Sequence, residues 1–172
     1  MSVDITARVH VDRDPAAVAA YMTDPTNDPE WIGGLREAEL LGDGAVAVGR
    51  RVRRVASFLG RRIEYINEIL ALDETQLDMR SVKAPFPMRI TYRFEPGAGG
   101  GTDVSNHVRG GGLRVLAPLV RRNVQRDLER LRDVLERDDG SRRPPSSASA
   151  TEQTISPAAP AARTAPGPGG SR

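Results

Sequence analysis

Histidine and cysteine, the side chains that most often supply acid–base, nucleophilic or metal-binding chemistry near neutral pH, are scarce in this chain. Its 172 residues contain two histidines and no cysteine. Without thiols there can be no disulfide, thiolate nucleophile or cysteine-ligated metal, and two histidines alone do not build a histidine-rich zinc site. We therefore expect neither a bound metal nor a cofactor.

The histidines and glycines that are present form no standard catalytic motif. Neither glycine-rich stretch, 97–101 or 110–112, matches a dinucleotide fingerprint, and the chain has no phosphate-binding loop, metalloprotease motif or serine-hydrolase motif. Strand alternation places His10 and His107 on the outer face of a sheet, opposite to their apolar neighbours. Any chemistry would therefore come from polar side chains on the inner, apolar face.

Arg54 is the most distinctive of these inner-face polar residues. Its guanidinium could hold a ligand carboxylate or phenolate, reach solvent at the rim, or pair within the fold. The amides of Asn67 and Asn106 either contact a ligand or hydrogen-bond within the fold, because buried polar groups need partners. Tyr65 could join Arg54 in stabilising a developing oxyanion.

Hydrophobic periodicity and capping residues predict the strands and helices that would position these residues. Alternating apolar and polar residues from Val3 to Val11 predict a half-buried strand. Asp14-Pro15 and Asp28-Pro29 each combine a helix N-cap with a proline at the first helical position, and so predict two short helices. Six further strands with short turns between them are predicted at 35–41, 48–58, 61–72, 76–82, 88–95 and 102–109.

A long amphipathic helix closes the predicted fold. Apolar residues recur at spacings of three and four from Leu113 to Leu135, and Pro118 should kink the first turns or separate a short preceding helix. The sequence therefore predicts an α+β fold in which the last helix packs across the apolar face of a seven-stranded antiparallel sheet.

The register of one β-hairpin can also be predicted. A two-residue turn at 59–60 pairs Arg51 with Glu68 and Val55 with Glu64, which keeps the carboxylates on one face. A three-residue turn would set the same carboxylates beside apolar side chains, so we reject it.

Composition divides the chain into a domain at 1–137 and a tail at 138–172. The tail is rich in Pro, Ala, Ser and Gly, and Ile155 is its only larger aliphatic residue, so we expect it to be disordered. No apolar run approaches the roughly 18 residues of a membrane span, and the start lacks a signal pattern, which favours a cytoplasmic protein without membrane insertion. The 25 cations are interspersed with 23 carboxylates, so no nucleic-acid partner is expected.

This order of elements resembles the helix-grip fold of the START-like, SRPBCC superfamily, in particular its bacterial polyketide cyclase/dehydrase-like branch. The resemblance covers about residues 1–137 and is carried by the segments 9–18, 28–31 with 35–41, 48–52, 60–65, 101–104 and 116–136. It implies a curved sheet gripping the last helix, with a hydrophobic cavity between them. Family members bind lipids, polyketides, isoprenoids or hormones there, and a minority catalyse cyclisation or dehydration.

Within that architecture two aromatic residues gain possible roles. Trp31 either lines the cavity mouth or packs beneath the short helices, and Phe86, between two strands, is either a gate or a loop anchor. The complete set of candidate ligand-binding residues is Trp31, Arg54, Tyr65, Asn67, Met79, Phe86, Tyr92, Asn106, Leu116 and Val120.

Three hypotheses for the function follow. The first is noncatalytic or weakly catalytic binding of a hydrophobic small molecule such as a lipid, polyketide or isoprenoid. The second is an enzyme, a cyclase or dehydratase acting on a polyketide-like chain. The third is a protein- or RNA-partner module that uses the arginines of the last helix, although interleaved carboxylates favour a solvated helix face. Ligand identity and oligomeric state stay open.

Overall fold

The computed structural model describes residues 2–58, 60–111 and 117–142, which form one antiparallel sheet and three α-helices. The strands are β1 (Ser2–Val11), β2 (Leu35–Leu40), β3 (Arg51–Phe58), β4 (Arg61–Leu72), β5 (Gln76–Lys83), β6 (Met88–Pro96) and β7 (Thr102–Gly111). The helices are α1 (Pro15–Thr23), α2 (Asp28–Trp31) and α3 (Ala117–Arg142). In the described ranges no helix is both long and apolar enough to cross a membrane.

The seven strands form a single sheet in the order β1-β7-β6-β5-β4-β3-β2. This confirms the predicted meander, to which β1 adds by pairing with β7. The predicted hairpin register is also confirmed, because Arg51 pairs with Glu68 and Val55 with Glu64. β3 begins at Arg51, later than predicted, because Gly49 adopts a φ of 83°, a left-handed conformation that interrupts an extended strand.

The two predicted short helices are present, with a 3₁₀ turn at Pro25–Asn27 between them. Asp14 caps α1 as expected, since its carboxylate accepts a hydrogen bond from the Ala16 N–H at 2.9 Å. Asp24 caps the 3₁₀ turn in the same way through the Thr26 N–H. The prediction that Asp28 is an N-cap is wrong: Asp28 lies inside α2, and the N-cap residue Asn27 makes no side-chain capping bond.

The long helix begins at Ala117, so Pro118 stands in its first turn. There a proline is tolerated, because the first backbone N–H groups of a helix have no partner within it. Leu113 and Leu116 of the predicted stripe lie outside the described residues. The helix continues to Arg142, past the predicted domain end at residue 137, and the predicted disordered tail is otherwise outside the described residues.

The second half of α3 supplies the tightest part of the core. Leu128, Leu131 and Leu135 are at most 4% exposed and belong to one cluster with Val11 and Phe94. The Arg13 Nε–H donates to the Leu135 carbonyl at 3.0 Å and ties this end of the helix to the end of β1. The interior is therefore closed where the β6–β7 turn lies.

The opposite end of the interior is less covered. Leu119, in the first turns of α3, is 40% exposed. Apolar and aromatic side chains of the inner face are only half-buried at the same end of the sheet. We call this region the open end, and its residues are Ile63, Tyr65, Met88, Ile90 and Val120.

This gradient along α3 predicts different costs for the same truncation. Leu131→Ala should lower the free energy of unfolding by about 3 kcal/mol, because a buried leucine leaves a cavity. Leu119→Ala should lower it by less than about 1 kcal/mol, because an exposed side chain loses little. Urea denaturation of both variants measures the difference, and equal losses would contradict the packing described for the helix.

Candidate functional site

The polar residues predicted for the inner face all lie on it. Arg54 is on β3, Tyr65 and Asn67 are on β4, Tyr92 is on β6 and Asn106 is on β7. Tyr65 is half-buried at the open end, and the other four are at most 7% exposed. The sheet register brings them close together, because Arg54 pairs with Tyr65 and Tyr92 with Asn106.

Arg54 pairs within the fold, which is one of the three outcomes left open by the sequence. Its Nε–H and Nη2–H groups donate to Asp28 Oδ2 at 2.8 and 2.6 Å. Its Nη1–H donates to Asn67 Oδ1 at 3.0 Å and lies 3.6 Å from the sulfur of Met79. Asp28, which sequence reasoning assigned to helix capping, is therefore the buried counter-ion of the site.

The pair is fully enclosed, because Asp28 is 1% and Arg54 6% exposed. Burial raises the pKa of the Asp28 carboxyl, and the Arg54 guanidinium opposes that rise. Burial opposes ionisation of Arg54 as well, but the Asp28 carboxylate raises the pKa of the guanidinium above its ordinary value. Arg54 therefore stays charged, with its charge balanced by an adjacent carboxylate.

Two tyrosines and the single tryptophan surround this pair. The rings of Trp31 and Tyr92 meet edge to face with centroids 5.8 Å apart. Trp31 is 1% exposed and packs in the interior beneath the short helices, so it does not lie at a mouth. Burial raises the pKa of Tyr65 and of Tyr92, so both hydroxyls are protonated and neutral at physiological pH.

Several buried polar atoms near the pair have no hydrogen-bond partner among the described residues. They are Trp31 Nε1, Asn67 Nδ2 and Asn106 Oδ1. A fourth such atom, Arg13 Nη2, belongs to the closed end. Leaving a buried polar group unpaired costs about 1–3 kcal/mol, so three such atoms on α2 and the inner face of the sheet are unusual.

Asp127 on α3 is a site residue that sequence reasoning missed, because it stands among the charges of a face interpreted as solvated. Its Oδ1 accepts a hydrogen bond from the Gly33 N–H at 2.8 Å. The chain must turn sharply here, since Gly34 has a φ of 81° and a Cβ on it would lie 2.8 Å from the backbone oxygen of Ser57. Burial raises the pKa of Asp127 to about 6, against the Gly33 hydrogen bond and Arg130. In the sequence, the consecutive glycines Gly33 and Gly34 after α2 were the one sign that another element approaches the backbone there.

The remaining predicted site residues are spread more widely. Met79 is 2% exposed and touches Arg54, whereas Phe86 is 49% exposed on the loop between β5 and β6. Ser81 ties that loop to the sheet, since its Oγ accepts from the Met88 N–H at 2.8 Å. Val120 is half-buried at the open end, and Leu116 lies outside the described residues.

Both histidines lie on the outer face, as predicted. His10 pairs with Asp103, and His107 with Asp4, each at 2.7 Å. A depression of about 430 Å³ on this face has arginines among its walls, including Arg8. Its charged and hydroxyl lining does not match an apolar ligand, so the inner face is the better candidate site.

Comparisons with known proteins agree with this architecture. A family model described as "Polyketide cyclase / dehydrase and lipid transport" matches residues 2–136. The ZhuI aromatase/cyclase from Streptomyces sp. R1128 superposes with a TM-score of 0.69 at 16% identity, covering 81% of this chain and 96% of that one. A START superfamily protein from Mycobacterium smegmatis gives 0.63 at 14% identity, covering 80% and 98%.

A protein from Thermus thermophilus gives a TM-score of 0.65 at 18% identity, covering 78% of this chain and 98% of that one. At such identities the superpositions show the helix-grip fold alone. None of the curated proteins compared with the chain matches it.

The raised pKa of Asp127 makes the stability depend on pH in a defined direction. Between the ordinary value of 3.8 and about 6 the folded protein binds a proton that the unfolded chain releases, so stability falls as the pH rises through that window. Asp127→Asn keeps an acceptor for the Gly33 N–H but cannot ionise. It should be more stable than the wild type at pH 7.5 by about 1 kcal/mol after allowance for solvent screening, and equally stable near pH 4.

Chemical denaturation at both pH values measures this difference. Asp133→Asn on the same helix is the control, because Asp133 is exposed and should change the free energy of unfolding by less than about 0.5 kcal/mol. A loss of stability in Asp127→Asn at pH 7.5 would show that ionised Asp127 stabilises the fold.

Proposed function

The chain belongs to the polyketide cyclase/dehydrase and lipid-transport family, and from that premise we propose that it binds a hydrophobic small molecule without catalysing a reaction on it. The proposed site is the space between the inner face of the sheet and α3. The ligand would be a lipid-, polyketide- or isoprenoid-like molecule. The observation that carries the proposal is the group of three buried, unpartnered polar atoms on Trp31, Asn67 and Asn106.

These atoms have the character of a ligand-orienting set. A binding pocket for a small apolar molecule has a mostly apolar lining and a few polar groups that fix orientation. Around Asn67 and Asn106 the inner face is apolar, with Ile69, Met79 and Phe94 at most 2% exposed. A ligand that paired with the unsatisfied atoms would remove a desolvation cost that the empty protein bears.

The open end offers the route of entry. Its half-buried apolar side chains, among them Ile63, Ile90 and Val120, would be covered by the body of the ligand. Burying apolar surface contributes about 25 cal/mol per Å², so even a partly enclosed hydrocarbon body would supply most of the affinity.

The alternative, a cyclase or dehydratase, fits the ion pair less well. Oxyanion stabilisation by Arg54 requires a charge that is free to meet the substrate, and Asp28 already binds two of its N–H groups. The cytoplasmic location and the absence of a nucleic-acid partner stay predictions from the sequence.

A binding measurement tests the proposal. Trp31 is the only tryptophan, so its fluorescence reports directly on this interior. Nile Red, a neutral apolar dye, should bind saturably, quench Trp31 and be competed by an unlabelled apolar molecule. Non-saturable uptake, or saturable uptake with no change in Trp31 emission, would count against a site between the sheet and α3.

The variant Asn106→Leu separates a binding role from a structural one. It replaces an unsatisfied buried oxygen by an apolar group with the same heavy-atom branching, so the ligand-free protein should gain about 1 kcal/mol in the free energy of unfolding. The affinity for 1-decanol, a neutral apolar molecule whose hydroxyl can donate to Asn106 Oδ1, is measured by its displacement of Nile Red and should fall about tenfold, because one hydrogen bond is worth roughly 1.4 kcal/mol. An Asn106 that only supports the fold would give the opposite pattern, with lost stability and unchanged affinity.

Thr102→Val is the matched control on the same strand and the same face. Thr102 is fully buried, but its hydroxyl is satisfied, since it donates to the Arg13 carbonyl at 2.6 Å. Losing that bond should cost about 1 kcal/mol of stability and leave the affinities for Nile Red and 1-decanol within about twofold.

A further inference from the structure

We infer that the polar end of the ligand is uncharged and carries both a hydrogen-bond acceptor and a hydrogen-bond donor, as in a hydroxy-ketone or hydroxy-ester, and is neither a carboxylate nor an amine. This inference rests on the proposed function and names the chemical class of the molecule bound. It depends on the charges and on the unpaired atoms that face the interior.

The charges of the interior exclude an anion. Arg54 supplies one positive charge, and the Asp28 carboxylate neutralises it at 2.6 Å. Asp127 adds a second carboxylate from α3, and its field reaches both Tyr65 and Tyr92. Arg130 is the positive neighbour of Asp127, so both cations already have a carboxylate and a buried ligand carboxylate would find no free counter-ion.

The unpaired atoms exclude an amine. Trp31 Nε1 and Asn67 Nδ2 are donors, and they need an acceptor that an ammonium group does not have. The oxygen of the Asn67 amide is already used, because Oδ1 takes the hydrogen bond from Arg54. A carbonyl or ether oxygen satisfies these donors without adding charge.

The third unpaired atom calls for a donor on the same ligand. Asn106 Oδ1 is a buried acceptor, and a ligand hydroxyl could donate to it. Asn106 lies beside Tyr92 across the β6–β7 pair, and Tyr92 lies against Trp31. The Trp31 donor and the Asn106 acceptor therefore both lie on residues that neighbour Tyr92, which favours one ligand end that carries an acceptor and a donor.

A series of ligands that differ only at the polar end tests the inference. Methyl decanoate, decanoate and decylamine share one hydrocarbon body and are neutral, anionic and cationic at pH 8. Their competition against Nile Red, followed by Trp31 emission, ranks the three charge states. Methyl decanoate should compete at least tenfold more strongly than decanoate and more strongly than decylamine, and the methyl ester of 3-hydroxydecanoate, with its hydroxyl near the ester, should compete better still.

Asp28→Asn tests the reason for the ranking. Asparagine keeps an acceptor for Arg54 but removes the compensating charge, so decanoate should gain at least tenfold relative to methyl decanoate. Asp78→Asn is the matched control, because Asp78 is a 5% exposed partner of Arg89 on the outer face of the sheet. That variant removes a similar ion pair and should leave the wild-type ranking unchanged.

Each outcome has a defined meaning. Decanoate or decylamine competing as well as methyl decanoate would overturn the inference and leave the proposed function standing, as would saturable Nile Red uptake that no member of the series displaces. No saturable Nile Red uptake at all would overturn both. The wild-type ranking requires no variant, so the inference is decided even where Asp28→Asn does not fold.

Discussion

One buried ion pair holds the short helix α2 over the sheet. Arg54 on β3 and Asp28 in α2 meet at 2.6 Å with almost no solvent exposure. Burying two charges is expensive, and their attraction compensates only when the geometry is good and the remaining polar atoms are bonded. Asn67 meets part of that requirement by accepting from Arg54. Because the pair fixes α2, it also fixes Trp31 above Tyr92 and Gly33 beside α3.

The strand alternation gives two neighbouring arginines opposite environments. Arg53 points outward, where Glu39 and Glu64 accept its hydrogen bonds at the surface. Arg54 points inward and has one buried carboxylate. The surface network is screened by water and contributes little, whereas the buried inner pair is shielded from that screening.

The interior changes character along its length. At the closed end three leucines of α3 complete a packed core and the polar Thr102 is satisfied. Towards the open end, apolar side chains are half-covered, and of the four polar atoms left unpaired within the described ranges Arg13 Nη2 alone belongs to the closed end. The unpaired oxygen of Asn106 lowers the stability of the fold, and the proposed binding role would account for that cost.

The sequence by itself determined the architecture. The helix-grip order, seven strands, the register of the β3–β4 hairpin and the inner placement of Arg54, Tyr65 and Asn67 all follow from local rules. Side chains alternate along a strand, and short turns force neighbouring strands to pair, so the periodicity and the turn residues are sufficient. The role of Pro118 was predicted less well, because a proline fits both a kink inside a helix and the first turn of a helix. Only the tertiary structure decided which groups meet: Asp28 lies 26 residues from Arg54 in the chain, and Asp127 lies 94 residues from Gly33. Periodicity assigns a residue to a face but gives no distance across the interior, and electrostatic energy depends on separation and burial and not on position in the sequence.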